Sequence, residues 1–413
     1  MEPTGGQLTQ AARRFARESQ GYFGQWIFDE PALMSAERDR DFLRLHGLLL
    51  RVIREFVVNN GAYRHLMALD DRTRAIVDLL KEFPYDPGTF RTDFVFDPSG
   101  QPKLIEITCR FALNGFFEAA IYAAHAEAHA AAHFPEVPLN HRVWGIYDYL
   151  ETLLEGKAEV LVLKGEDAKN SSRHYVGIFE GAGVAISEVH HRELPSLMPR
   201  LARALVISEL TLVEILGLGD EVILGLAQTS LLNDVRTALL IHDKRFFSAL
   251  HDEGLQRACL DAEEREFFNR FLVASHAAGT SPEVWQRART EPDRWFLKHR
   301  ALGKSENVYS GKEIGAEAWR QLLDATDLAD FILQEFVPQK LWTGTMNGQA
   351  RADYITGSLL YFNDHYFGPN QLRTSESLTM KSTTKPNVGM LVCEAPLSQS
   401  VDVASLPLFA YFA

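Results

Sequence analysis

The stretch Arg91–Gly115, RTDFVFDPSGQPKLIEITCRFALNG, decides the fold that we expect for this chain. Apolar residues stand on both sides of the turn-forming tetrapeptide Asp97-Pro98-Ser99-Gly100, which predicts a β-hairpin. Period-2 alternation then places paired residues of the two strands on one face. Pairing of Asp97 with Pro102 sets three further pairs, which are Val95–Leu104, Asp93–Glu106 and Arg91–Thr108.

Two carboxylates, Asp93 and Glu106, are expected to face each other across this hairpin. Like charges in such a pair repel unless a cation lies between them, and hard oxygen ligands suit Mg²⁺. The alternative is a solvated outer face on which Arg91 and Arg110 neutralise the acids. Spacing alone leaves both interpretations open.

Length and composition describe an ordinary globular protein with two or three domains. The chain has 413 residues and a formal net charge of -13, which argues against a nucleic-acid-binding surface because phosphate neutralisation needs clustered lysine and arginine. It contains neither an apolar run of membrane-spanning length nor the apolar core of a signal peptide. We therefore expect a cytoplasmic protein without membrane or nucleic-acid partners, and leave open whether it forms a homodimer.

Changes of pattern along the chain divide it into four parts. Residues 1–85 are predicted to be mainly helical, with Asp70 or Asp71 capping the third helix. Residues 86–138 contain the hairpin and an Ala-rich helix. Residues 139–257 alternate helices with short apolar strands, which predicts a parallel α/β layer. Residues 258–413 begin with a predicted helix over 261–279 and continue with strands.

The last part holds further candidate site residues. A strand around Lys298 is followed by the small-residue loop GKSENVYSG, and a second strand, ILQEFV, covers residues 332–337. A β-meander follows, with turns at Asn347-Gly348 and Asn363-Asp364. Neither a P-loop nor a Rossmann glycine fingerprint is complete in the sequence.

Cysteines and histidines offer a few weaker candidates. His125, His129 and His133 share one helical face; they could ligate a metal, although partly exposed histidines are the default. The three cysteines lack metal-site or disulfide spacing. Cys109 is expected to be a buried thiol, with reactivity as the alternative because it lies beside the proposed site.

Three motifs in this order resemble the ATP-grasp ligases in their circularly permuted form, as in glutathionylspermidine synthetase. Arg91-Thr92-Asp93 and Glu106-Ile107-Thr108-Cys109-Arg110 resemble R-x-D followed by E-x-N-x-R. Lys298 with its loop and ILQEFV resemble the nucleotide-binding strand, lid and adenine hinge. The metal segment precedes the nucleotide elements, which suggests the permutation, and the resemblance covers most of residues 86–392. It implies an α/β ATP-grasp fold with a helical N-terminal region and an inserted parallel α/β layer.

The resemblance also implies an activity and its residues. A carboxylate is activated by ATP as an acyl phosphate and attacked by an amine, releasing ADP and phosphate. Magnesium ligands are implied at Asp93, Glu106 and Thr108, and catalytic arginines at Arg91 and Arg110. Contacts with ATP are implied at Lys244, Lys298, Gly303, Ser305, Asn307, Gln334, Glu335 and Val337. Asn114 and Arg373 are candidate substrate contacts.

Each assignment has an alternative. Thr108 stands where the family has asparagine, and its hydroxyl is a poorer metal ligand than an amide oxygen. This departure favours a nucleotide-binding scaffold without ligase activity as a rival, and a small-molecule kinase is another. Lys298 could be an edge-strand lysine, Lys244 a solvated helix lysine and Arg373 a surface or structural arginine. The sequence does not identify the carboxylate and amine substrates.

Overall fold

The computed structural model describes residues 5–113, 115–135, 139–166, 173–303, 305–339, 341–379 and 386–393. The strands are β1 (Ala32–Ser35), β2 (Thr89–Phe96), β3 (Pro102–Thr108), β4 (Leu139–Asn140), β5 (Glu159–Lys164), β6 (Ile186–His190), β7 (Ala204–Ser208), β8 (Ser230–Leu231), β9 (Ser275–Ala277), β10 (Trp295–His299), β11 (Val308–Ser310), β12 (Phe331–Glu335), β13 (Trp342–Met346), β14 (Gln349–Phe362), β15 (His365–Ser375) and β16 (Asn387–Cys393). The helices are α1 (Gln7–Phe23), α2 (Ala36–Val58), α3 (Asn60–Tyr63), α4 (Asp71–Leu79), α5 (Phe116–His133), α6 (Gly145–Leu154), α7 (Arg173–Gly181), α8 (Leu194–Leu201), α9 (Leu212–Gly217), α10 (Asp220–Ala227), α11 (Phe246–Ala249), α12 (Glu253–Cys259), α13 (Ala262–Asn269), α14 (Pro282–Ala288), α15 (Gly311–Ile314) and α16 (Ala316–Ala325).

Within the described part of the chain, these strands form three sheets. The largest has the order β1-β16-β15-β14-β2-β3, with β13 paired to β14 and β4 to β16. A second sheet, β11-β10-β12-β9, is antiparallel. The third, β6-β5-β7-β8, is parallel, which confirms the predicted α/β layer. The architecture is therefore mixed α/β.

The hairpin β2–β3 is present, but its register differs from the prediction near the turn. Phe96, and not Asp97, pairs with Pro102, so that Val95 faces Lys103 and Leu104 faces Phe94. An irregularity beyond Phe94 then adds one residue on β3, which is a β-bulge at Ile105. Beyond the bulge, the predicted pairs Asp93–Glu106 and Arg91–Thr108 are present.

The two faces of the largest sheet pack against different helices. On one face, Phe94 packs on Phe42 of α2 with ring centroids 5.1 Å apart. Gly357 lies opposite Phe94, whose ring would be only 2.1 Å from an added Cβ, so a side chain there would displace the ring. On the other face, which carries Asp93, α5 crosses close to Gly389, where an added Cβ would lie 2.8 Å from the Tyr122 carbonyl oxygen. This second face holds the candidate site.

Most local predictions are confirmed. The three N-terminal helices form, and the Asp70 side chain caps α4 by accepting a hydrogen bond from the backbone N–H of Thr73 at 2.8 Å. The meander β13–β15 turns at the predicted positions, where Asn347, Gly348 and Asn363 adopt positive φ angles of 52°, 72° and 50°. These residue types tolerate the left-handed conformation that such turns require.

Long-range pairing adds one strand and shortens one predicted helix. Residues 1–85 are mainly helical, as predicted, but residues 32–35 form a strand that was not predicted, because they pair in parallel with β16 at the far end of the chain. The helix predicted over 261–279 ends at Asn269, because Ser275–Ala277 pairs with β12. The predicted four-part division of the chain stays a prediction. No helix in the described ranges is both long and apolar enough to cross a membrane.

Candidate functional site

Asp93 is the most enclosed acidic group on the site face of the hairpin. Its side chain is 2% exposed, and its Oδ1 accepts hydrogen bonds from Arg91 Nε at 2.9 Å and from Ser358 Oγ at 2.9 Å. Its Oδ2 accepts from Arg91 Nη2 at 3.2 Å and forms an ion pair with Arg373. Two guanidinium groups therefore share one buried carboxylate.

Asp93→Asn should destabilise the fold because it leaves Arg91 and Arg373 close together without their counter-charge. Removing one partner of a buried ion pair costs about 3 kcal/mol or more, and we expect that loss in the free energy of unfolding measured with urea. Asp364→Asn, an exposed turn substitution, is the matched control. Equal stability of the two variants would show that Asp93 does not hold the arginines.

Glu106 faces the second sheet. Its Oε1 lies 3.1 Å from Lys244 Nζ, and Lys298 Nζ donates to the carbonyl of the bulged residue Ile105 at 3.2 Å. Burial alone would raise the pKa of Glu106, but the positive charges of Lys244 and Lys298 outweigh it and lower that pKa to about 2. Glu106 is thus ionised between two lysines.

Lys298 is held on β10 by a hydrogen-bonded neighbour on β12. Its Nζ donates to Gln334 Oε1 at 2.5 Å, and Gln334 Nε2 donates to Ser275 Oγ at 3.1 Å on β9. The side chain is 7% exposed, so the edge-strand alternative is wrong. Burial lowers the pKa of Lys298 to about 8, with Glu106 opposing and Lys244 adding to the shift.

Lys244 reaches the site from an irregular turn and not from a helix. A π-helical turn over Thr237–Ile241 precedes it, with the His242 N–H donating to the Thr237 carbonyl at 3.2 Å. Such turns are frequent at functional sites. Lys244 is 2% exposed, and its Nζ also donates to the Leu302 carbonyl at 2.7 Å, which excludes a solvated lysine.

His242 lies beside these lysines and was not predicted. It is buried, and neither ring nitrogen has a hydrogen-bond partner among the described residues. Burial, followed by the charges of Lys244 and Arg110, lowers the pKa of His242 to about 3. The imidazole is therefore neutral at physiological pH, and only the π-turn brings it to the site.

Arg110 and Thr108 complete the hairpin end of the site. The Arg110 guanidinium carbon lies 3.8 Å from the centroid of the Phe111 ring, a cation–π contact. Thr108 pairs with Arg91 on the site face. Asn233 fixes this end of the hairpin, since its Nδ2 donates to the carbonyls of Thr89 at 2.8 Å and Cys109 at 2.6 Å.

The loop after β10 is folded back on its strand. Glu306 N–H donates to the Gly303 carbonyl at 3.0 Å, and His299 N–H donates to the Asn307 carbonyl at 3.0 Å. Ser305 and Asn307 have φ angles of 57° and 51°, a conformation that non-glycine residues rarely adopt. Lys304 lies outside the described residues.

The predicted hinge follows β12. Glu335 points away from Lys298 towards the surface, where its Oε1 accepts from Arg294 Nη2 at 3.0 Å, so that any contact with a nucleotide would come from its backbone. Phe336 N–H donates to the Arg294 carbonyl at 2.7 Å. Among the described residues, no protein group accepts a hydrogen bond from the N–H of Val337.

Some of the remaining predicted residues lie at the site and others do not. Arg373 belongs to the Asp93 cluster and is only partly exposed. Asn114 lies outside the described residues. Cys109 is buried, and burial raises the pKa of its thiol, which makes the reactive alternative wrong. The described residues include no group of three or more His, Cys, Asp or Glu side chains arranged to bind a metal, and His133 on the histidine face is exposed.

Three polar residues on the site face were not predicted from the sequence, namely Ser358, Asn370 and Gln371. Ser358 pairs with Asp93 across β14 and β2, and Asn370 Nδ2 donates to the Gly115 carbonyl at 3.3 Å. All three were within the predicted meander, but the alternation of a meander does not show which face packs against the hairpin's acids.

Among the solved structures that the chain resembles is that of a glutathione synthetase-like effector (GSS30) from Globodera pallida in apo form. The TM-score is 0.59 over 94% of this chain and 96% of that chain, with 11% sequence identity. The chain shares its fold with that protein. In this chain, Glu106 lies beside Lys244, and Lys298 of the second sheet contacts the Ile105 carbonyl of the hairpin. At this identity the likeness concerns the fold alone.

Comparisons of the sequence with protein families give one partial match. A family model described as the AnkG N-terminal domain matches residues 45–240, which is less than half of the chain. No curated protein matches the chain.

Proposed function

We propose that the protein is an ATP- and Mg²⁺-dependent carboxylate–amine ligase with a circularly permuted ATP-grasp core. The observation that carries this proposal is the position of Glu106, which extends from the hairpin to Lys244 and lies beside Lys298 of the second sheet. The glutathione synthetase-like fold supports it. The permutation is supported by chain order, because β2 and β3 precede the nucleotide-binding sheet that holds β10 and β12.

The balance of charge among the candidate site residues favours a polyanion. The set contains five basic side chains and two acidic ones, which are Arg91, Arg110, Lys244, Lys298 and Arg373 against Asp93 and Glu106. The phosphates of ATP would neutralise this local excess of positive charge.

The carboxylates fit a magnesium ion of the kind that bridges phosphates. Mg²⁺ is commonly held by one or two carboxylates together with substrate phosphates and water, and Asp93 and Glu106 face each other across adjacent strands. Thr108 would contribute through its hydroxyl or through water. When bound, the metal would neutralise phosphate charge. Arg373 would have to release one oxygen of Asp93.

The protein side chains then have separate roles in the proposed reaction. Lys244 and Lys298 hold the transferred phosphoryl group, and the backbone of Gly303 and of residues 305–307 covers it. Gln334, Glu335 and Val337 bind adenine, with the Val337 N–H as a donor. Arg91 and Arg110 stabilise negative charge on the acyl phosphate and on the tetrahedral adduct with the amine.

One experiment tests the ligase proposal. Protein is incubated with ATP, Mg²⁺ and a panel of carboxylates and amines, including amino acids and polyamines, and the nucleotide products are separated. We expect ADP and phosphate with an amide product, and a hydroxamate when hydroxylamine replaces the amine. AMP and pyrophosphate would contradict an acyl phosphate.

A second candidate is a nucleotide-binding protein without turnover. The occupation of Asp93 by Arg91, Arg373 and Ser358 favours it, because those contacts compete with a metal. Calorimetry with a non-hydrolysable ATP analogue, with and without Mg²⁺, separates the two: binding without any product on the panel would support this candidate. A stable phosphorylated small molecule would instead identify a kinase.

A further inference from the structure

A β-bulge in β15 places two amide residues, Asn370 and Gln371, opposite Ser358 of the candidate site. Gly357 pairs with Leu372 and Leu359 with Pro369, so that Ser358 alone lies opposite both Asn370 and Gln371. A bulge of this kind places two residues against one and re-aims their side chains. Ser358 donates to Asp93, and Asn370 donates to the carbonyl of Gly115 at the start of α5, so the bulge lies next to the Asp93 cluster.

These two amides have oxygens without a hydrogen-bond donor. Asn370 is 0% exposed and Gln371 is 2% exposed. Asn370 Nδ2 faces the Gly115 carbonyl, which can only accept, and this fixes the orientation of the amide. Within the described residues, neither Asn370 Oδ1 nor Gln371 Oε1 has a partner. Buried acceptors of this kind destabilise a fold unless a ligand or an ordered water satisfies them.

Asn370 and Gln371 lie in the sheet at a distance from Asp93 and Glu106, where the metal and phosphates are proposed to bind. Glu106, Asp93, Ser358 and the bulge follow one another across β3, β2, β14 and β15. Adjacent strands are about 4.8 Å apart, so the bulge is roughly 10 Å from Asp93 and further from Glu106. A ligand on the bulge therefore lies beyond the metal and phosphates, on the side of Arg91.

Arg91 connects the bulge to the reacting centre. A Cβ on Gly115 would lie 3.1 Å from Asn370 Nδ2 and 3.5 Å from Arg91 Nη1, so both groups border the space that a side chain at this position would occupy. In the proposed ligase, Arg91 holds the acyl phosphate. The bulge would then be next to the carbonyl carbon that is attacked.

The chemistry of the two oxygens selects the ligand. They accept hydrogen bonds and carry no charge, so they disfavour a carboxylate and favour a group with N–H donors. A neutral acceptor also holds an amine without raising its pKa, whereas a carboxylate would stabilise the ammonium form, which cannot attack. We propose that Asn370 and Gln371 bind and orient the attacking amine of the second substrate, an inference that rests on the proposed ligase function.

The step is balanced without any further reactant. The lone pair of the amine forms a C–N bond with the acyl carbon, and the C–O bond to phosphate breaks with its electron pair on the phosphate. The amine proton passes to the departing phosphate. Asn370 and Gln371 hold the N–H groups and take no proton.

Gln371→Met and Asn370→Leu test this assignment because they remove the oxygens while keeping similar volume; Asn370→Leu also removes the hydrogen bond to the Gly115 carbonyl, so Gln371→Met is the more direct test. We expect each to raise KM for the amine about 10-fold, as for a lost hydrogen bond of roughly 1.4 kcal/mol. Formation of the hydroxamate with concentrated hydroxylamine, which needs no binding site, should stay within about twofold of wild type, and so should affinity for the ATP analogue. Gln349→Met, an exposed substitution on β14, is the control.

Two further readouts separate orientation of the amine from support of the fold. Gln371→Met should melt no lower than wild type, because it removes an unsatisfied acceptor, whereas a drop of several degrees would overturn the proposal. Gln371→Glu should shift amine-dependent turnover to higher pH, because a carboxylate stabilises the ammonium.

The outcomes that overturn this inference differ from those that overturn the ligase. An unchanged KM for the amine, or equal loss of hydroxamate and amide, would reject the role of the bulge in an active enzyme. Absence of ADP, hydroxamate and amide from the wild type on every substrate would reject the ligase itself and the amine site with it.

Discussion

Glu106→Gln is expected to reduce ADP release by roughly 100-fold or more, because it removes a proposed metal ligand and the counter-charge of two buried lysines. The substitution keeps the size of the side chain and its place opposite Asp93. Only the negative charge is lost. Steady-state assays with saturating ATP and Mg²⁺, on the substrates that the panel identifies, measure the effect.

A second consequence of Glu106→Gln does not depend on turnover. The Glu106 charge raises the pKa of Lys298, which burial and Lys244 lower to about 8. Removing that charge should lower the pKa of Lys298 further. Lysine side chains can be ¹³C-methylated and titrated by NMR, and assignment with Lys298→Arg identifies the signal.

The matched control is Glu317→Gln, which removes a carboxylate from an exposed ion pair with Arg320 on α16. It should leave turnover and the titration of Lys298 unchanged. If Glu106→Gln behaves like this control, the metal and phosphate site lies elsewhere in the chain.

The carboxylate pair could be predicted from the sequence because two local errors cancel. The predicted pairing at the turn was wrong by one residue, because Phe96 and not Asp97 pairs with Pro102. The bulge at Ile105 shifts the register by one residue in the opposite direction, so that Asp93 still faces Glu106. Alternation fixes which face a residue takes but does not reveal a bulge. The same bulge leaves the Ile105 carbonyl available to Lys298, a contact that no sequence pattern indicated.

Other parts of the site depend on pairings between distant segments. Ser358 meets Asp93 across 265 residues of sequence, and His242 is brought to Lys244 by a π-turn that has no compositional signature. Asn370 and Gln371 share a bulge that only the register of β14 and β15 defines. Helices and turns carry their signals locally, as the Asp70 cap and the turn at Asn347 show, whereas strand β1 forms only because β16 is present.

Contacts between distant segments set the pKa of Lys298, and this pKa could control the affinity for ATP. A buried lysine costs free energy when charged, and here Gln334, Ile105 and Glu106 offset part of that cost. The pKa of Lys298 is about 8, so the side chain is mostly charged at neutral pH in the free protein and loses that charge when the pH rises by one or two units. A bound phosphate would favour the protonated form, so the affinity for ATP should depend on pH.

We therefore expect the affinity for a non-hydrolysable ATP analogue to be nearly constant up to pH 8 and to fall about tenfold per pH unit above it. Lysine is protonated below its pKa, and the charged form binds phosphate, so affinity decreases as pH rises through 8. Phosphate groups lose their last proton near pH 6, so the ligand does not contribute to this change. Calorimetry between pH 7 and pH 9.5 with Mg²⁺ measures the slope.

Two variants connect that slope to one side chain. Lys298→Arg keeps a positive charge throughout this range, so its affinity, although lower than wild type, should not vary with pH. Lys298→Met should bind about 100-fold more weakly at pH 7 and should also lose the dependence. A wild-type slope that persists in Lys298→Arg would assign the titration to another group, and a flat wild-type profile would show that Lys298 does not contact the phosphates.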